Sequence, residues 1–224
     1  MYYIIAILVL VLAIAFYFKS KRTSGVQTAN ANNSVIFIVG DKNAGKTSLL
    51  YCLSNQNSSI QTTNSIEPNQ TELAKPNNQS VIVVDVPGNN YQKEQFLNKI
   101  QEAKKIILVT DSSETSQIGA TAAILYNILI SIPFQKSKIP LLIVLNKQDK
   151  EKAYKAPDFE MFLSREIEKI KKSRKAVQEQ RENTNDRIRF QENQFDINEY
   201  PTIKIVEQSV KDCNIQEVQK FIFN

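Results

Sequence analysis

A strand-forming run at residues 35–39 (VIFIV) passes without a break into GDKNAGKT at residues 40–47, and helix-compatible residues follow. Strand, glycine-bearing loop and helix start, in that order, constrain this part of the chain to a phosphate-binding βα unit. Gly40 and Gly45 reach backbone angles closed to larger residues, so the N–H groups of the loop Asp41, Lys42, Asn43 and Ala44 can converge on one anion. The helix beginning near Lys46 adds its positive end, and Ser48 is counted with the loop. Lys46 is placed as a point charge for the β- and γ-phosphates of a nucleotide. The Thr47 hydroxyl is placed as a ligand for Mg2+, a cation that takes hard oxygen donors.

The base is read from Asn146, Lys147, Gln148 and Asp149, which end the apolar run at residues 139–145. A carboxylate such as Asp149 accepts two hydrogen bonds, which matches the adjacent N1–H and N2–H2 donors of guanine; adenine presents no such pair. GTP is therefore expected rather than ATP. The Asn146 amide can brace neighbouring loops, and the apolar stem of Lys147 can lie along one face of the base. A solvated turn rich in Asn and Asp would use the same letters, but the buried strand before it favours the base site. Between the two motifs, residues 81–84 are apolar and lead into Asp85, Val86, Pro87 and Gly88. Asp85 is expected to hold Mg2+ through a water, and the Gly88 N–H to meet a γ-phosphate that is lost on hydrolysis.

With these motifs in chain order, the sequence resembles the Ras-like small GTPases: GDKNAGKT, DVPG, NKQD and Ser209, Val210, Lys211 stand at that family's phosphate, switch, base and serine-alanine-lysine positions. More narrowly, the apolar N-terminal segment, TTNSIEPN, the long break after NKQDK and the ending FDINEYPTIKIVEQSVK resemble the beta-subunit family of the signal recognition particle receptor. That resemblance implies a membrane-anchored GTPase that holds the receptor's alpha subunit at the endoplasmic reticulum. It also implies that the Val210 N–H lies beside guanine O6, with Ser209 shaping the turn and Lys211 completing the motif. For switch I, Thr62, Thr63, Asn64 and Ser65 offer several oxygen donors; Thr62 fits the family pattern best as the residue that closes on Mg2+.

Residues 2–18 contain no charge, Gly or Pro and are followed by Lys19, Lys21 and Arg22. At about 1.5 Å per residue such a run spans roughly 25 Å, close to the hydrocarbon core of a thin bilayer. Tyr2, Tyr3 and Tyr17 fall at its ends, and the basic cluster is expected on the cytosolic side. A cleaved signal peptide competes with this reading, but the run lacks a basic leader. The expected organisation is a transmembrane anchor at 2–18 and a polar linker at 19–33. An α/β GTPase domain of mainly parallel sheet flanked by helices follows at 34–224, with a charged insertion around 171–198.

The net charge of +5 raises nucleic acid as a partner, but the basic residues concentrate beside the anchor and at Arg165, Lys169, Lys171, Lys172, Arg174 and Lys175. The second group shares an expected helix from near Asp158 with Phe159, Phe162, Leu163, Ile167 and Ile170, so it reads as the solvated face of a packed helix. No direct DNA binding is expected, and a ribosome or translocon contact is left open. Histidine is absent, which removes imidazole base catalysis. Cys52 and Cys213 are expected as reduced thiols. Ras-like enzymes usually carry Gln after the DxxG glycine to orient the attacking water. Here the residue is the shorter Asn89, and Lys42 adds bulk near the γ-phosphate, so slow hydrolysis is expected.

Overall fold

The computed structural model describes residues 34–54, 65, 67–74, 80–179 and 195–224. The expected anchor and linker lie outside the described residues, as do Thr62, Thr63 and Asn64. Among the described residues no helix is long and apolar enough to cross a membrane.

Six strands form one sheet: β1 (Ser34–Gly40), β2 (Asn69–Ala74), β3 (Ser80–Asp85), β4 (Ala103–Asp111), β5 (Leu141–Asn146) and β6 (Ile203–Glu207). Their order is β2-β3-β1-β4-β5-β6; β2 runs antiparallel to β3 and every other pair is parallel. The interior strand β5, LLIVLN, is buried at every position, as a parallel strand covered on both faces must be. β2, NQTELA, buries Leu73 alone, and its polar residues suit an edge that should not recruit another strand.

Side-chain alternation divides the interior between the two faces. Val35, Phe37, Val39, Ile106, Leu108, Ile143 and Leu145 pack with α2 (Asn90–Lys99), α3 (Thr115–Ile130) and α5 (Ala156–Glu179). Ile36, Ile38, Ile107, Val109, Leu142 and Val144 face the other way, onto α1 (Lys46–Ser54) and α6 (Gln216–Phe223). The helical spacing expected for 159–170 is realised: Phe159, Leu163 and Ile167 are fully buried, and α5 packs along α3. Arg165, Lys169, Lys172 and Arg174 lie on the exposed side of this helix. Lys169 pairs with Glu166, Lys171 with Glu168, and the Arg174 guanidinium stacks over the Tyr126 ring at 4.7 Å.

Several boundaries move. α5 starts at Ala156 and continues to Glu179, into the stretch expected as an insertion, and residues 180–194 lie outside the described residues. The helix over Asn90–Lys99 closes with a 3-10 turn at Ile100–Glu102 and gives way to β4 at Ala103. A short helix, α4 (Ile132–Ser137), was not expected; Pro133 stands in its first turn and Lys138 ends it with a left-handed φ of 47°. Because β1, β3, β4, β5 and β6 are parallel, their carboxyl ends lie along one edge of the sheet, where ligands of such sheets bind.

Candidate functional site

β1 ends at Gly40, and the loop after it turns back through Ala44, whose N–H donates to the Asp41 carbonyl at 3.5 Å. Asn43 takes a left-handed φ of 60°, tolerable for Asn. Gly45 has φ 97°, and a Cβ there would overlap Asn146 Nδ2, so both the backbone and its neighbour require glycine. Lys46 opens α1 and is buried; its ammonium donates to the Asp41 carbonyl at 2.7 Å. Burial lowers its proton affinity although the Asp85 carboxylate opposes this, so the ammonium sits where a phosphate would restore the lost solvation.

Of the three metal residues expected from sequence, Thr47 and Asp85 meet, and Thr62 lies outside the described residues. Thr47 Oγ1 donates to Asp85 Oδ2 at 2.5 Å and lies 3.2 Å from the Ser65 hydroxyl, which also accepts from Asn69 Nδ2. Asp85 is fully buried at the end of β3, and its Oδ1 has no hydrogen-bond partner among the described residues. Desolvation raises its pKa, against the pull of Thr47 and Lys46. An orphaned buried carboxylate oxygen beside a threonine hydroxyl fits a hard divalent cation or its water. Among the four switch I candidates, Ser65 is the described one and stands at this point.

On the base side, Asn146 joins three segments. Its Nδ2 donates to the Ala44 carbonyl at 2.8 Å, its Oδ1 accepts the Val210 N–H at 3.0 Å, and its carbonyl accepts from Ser112 Oγ at 2.6 Å. The bracing role expected for this amide is therefore present. The Val210 N–H, expected beside guanine O6, donates to Asn146 here. Ser209 Oγ donates to Asp149 Oδ1 at 3.0 Å, and the more exposed Lys211 ammonium lies 3.8 Å from Oδ2. Ser209 thus orients the carboxylate as well as shaping the turn, which closes through the Cys213 N–H on the Val210 carbonyl and a bridge from Ser209 to Asn214.

The sequence reading missed Asp111. At the end of β4, its carboxylate accepts from Lys147 at 2.5 Å and from the Ser113 N–H at 3.0 Å. Burial would raise its pKa, but the hydrogen bonds from Lys147 and Ser113 outweigh that and hold it below the usual carboxylate range. The pair pins Lys147, whose φ of 66° is unusual for a long side chain. The available signal was an acidic residue closing the apolar run 106–109, the same punctuation as Asp85. Asn89, the expected catalytic candidate, caps α2: its Oδ1 accepts the Gln92 N–H at 2.9 Å. Lys42 is exposed and its carbonyl accepts from Gln117 Nε2 at 3.4 Å. Among the described residues Cys52 and Cys213 form no disulfide, and the Cys52 thiol donates to the Val210 carbonyl at 3.5 Å.

Phosphate-loop lysine, cation-compatible threonine and aspartate, and an asparagine bridging the loop to an aspartate-bearing turn form one continuous edge. Known proteins share both its sequence and its frame. The signal recognition particle receptor beta subunit from Dictyostelium discoideum is 30% identical over 164 residues, 71% of this chain and 57% of the relative. The chain therefore spans little more than half the length of that protein. ADP-ribosylation factor-like protein 5A from Rattus norvegicus is 30% identical over 134 residues, 60% of this chain and 73% of the relative. The receptor SRb-GTP/SRX complex from Chaetomium thermophilum has the same fold at TM-score 0.69, with 18% identity, covering 84% of this chain and 98% of that one. The family model for the signal recognition particle receptor beta subunit matches residues 31–204. With that model covering most of its length, the chain belongs to the signal recognition particle receptor beta subunit family and has the Ras-like GTPase fold.

Proposed function

We propose that this chain is the membrane-anchored, GTP-binding subunit of a signal recognition particle receptor, and that it recruits an alpha subunit to the endoplasmic reticulum during cotranslational targeting. The observation that carries the nucleotide reading is the Asn146 amide, which ties the phosphate loop at Ala44 to the turn at Val210 while Ser209 holds Asp149 on the same side. This arrangement suits guanine because an oriented carboxylate accepts from both of its adjacent donors. Thr47 and the orphaned oxygen of Asp85 suit Mg2+, which would neutralise phosphate charge when bound. Anchoring rests on residues 2–18 and the basic residues after them, and the alpha subunit on family membership.

Binding, more than turnover, is the task in this reading. Asn89 is short, and its side-chain oxygen is occupied by the first turn of α2, so it is poorly suited to orienting an attacking water. The likeness to the ADP-ribosylation factor-like relative supports a second reading, a trafficking GTPase that turns over with an activating protein. Purification of the full chain from membranes distinguishes the two. Stoichiometric bound guanine nucleotide, copurified alpha subunit and slow single-turnover hydrolysis support the receptor reading. Rapid hydrolysis on adding an activating protein supports the second, and failure of intact protein to bind guanine nucleotide overturns both.

A further inference from the structure

One charged contact at the site has no part in the binding scheme above. Lys93, in the first turn of α2, donates to Asp41 Oδ1 at 2.6 Å, with the two side chains 20% and 26% exposed. Asp41 thus holds two ammonium groups, Lys46 on its backbone carbonyl and Lys93 on its carboxylate.

Their position along the site can be read from two close approaches. Gly45 meets Asn146, which marks the base end. A Cβ on Gly88 would come within 2.6 Å of the Lys42 nitrogen and 2.8 Å of the Asp41 carbonyl carbon, so the turn after β3 lies flat on the opposite half of the phosphate loop. Lys93 reaches Asp41 from that second end, remote from the base. An unbalanced Asp41 carboxylate there would repel the outermost phosphate, whereas the Lys93 ammonium cancels it. Of the three ammonium donors, Asp41 is the partner shown for one among the described residues.

We propose that Lys93 is a positioning residue for the terminal phosphate of a nucleoside triphosphate, balancing Asp41 and bringing a second ammonium to that end of the loop so that affinity favours tri- over diphosphate. The inference rests on the guanine-nucleotide reading and adds a selectivity element to it. Because Lys93 belongs to α2, the same contact ties the phosphate loop at Asp41 to the helix that follows the DVPG turn.

The test uses the full-length chain in detergent, titrated with a nonhydrolysable GTP analogue and with GDP, as wild type, Lys93→Gln and Lys93→Arg. A charge-assisted contact to phosphate predicts that Lys93→Gln weakens the GTP analogue about tenfold, with GDP changing less than about twofold and Lys93→Arg retaining most of the preference. A purely structural clasp would weaken both nucleotides alike. Equal loss for both, or no loss for either, in a background where wild type binds both, overturns the role of Lys93 alone. A wild type that binds neither nucleotide overturns the guanine reading and this inference with it.

Discussion

At the scale of single residues, base choice in the proposed guanine-nucleotide reading rests on Asp149. Ser209 engages one of its oxygens at 3.0 Å, and a carboxylate retains acceptor capacity on both. Asp149→Asn would turn an amide donor toward the guanine donors, so GTP binding is expected to weaken by roughly 1.5–3 kcal/mol. Xanthosine triphosphate, which offers a carbonyl in place of the amine, should lose much less. Competitive titration of the two nucleotides checks this, and equal losses would overturn the assigned base recognition. Asp149, Lys46 and Thr47 were legible because strand, motif and helix adjoin in the sequence. Asp111 was not, because its meaning depends on Lys147, which reaches it only once β4 and β5 pair in register from Asp111 to Asn146.

At the scale of elements, the strands and helices that sequence defines best are those with a sustained apolar period. α3 spans Thr115–Ile130 and is rich in apolar residues, whereas α4 is too short to show a period and β4 extends back to Ala103 through the polar pair Lys104 and Lys105. That extension comes from pairing with β1 rather than from local propensity. The start of α2 shows a different ambiguity, since Asn89 can be read as a catalytic amide or as a cap, and its bond to the Gln92 N–H favours the cap. Asn89→Ala is expected to cost about 1 kcal/mol of stability, with single-turnover hydrolysis altered less than about threefold. Denaturant melts and a hydrolysis time course measure both. A large fall in hydrolysis at unchanged stability would restore Asn89 to the chemistry.

At the scale of the whole molecule, the two hydrophobic clusters and all six strands fall within Ser34–Asn224, which forms a compact unit by itself. A chain comprising residues 34–224 is therefore expected to melt cooperatively and to keep the guanine-nucleotide affinity of the full chain. Under the anchoring proposal, only the full chain should float with liposomes. Calorimetry and a flotation gradient test the two halves; a noncooperative melt would show that the domain needs its N-terminal segment, and equal flotation would remove residues 2–18 as the anchor. The sequence alone determined the strand–loop–helix phosphate motif, the parallel α/β frame and the chain order of the motifs, because each depends on neighbours within a few residues. Only the tertiary structure decided which side chains close on which. Asn146 spanning Ala44 and Val210, Asp111 pinning Lys147, and Lys93 seated on Asp41 join residues far apart in the chain. Such contacts exist only after the sheet has aligned the carboxyl ends of its parallel strands along one edge.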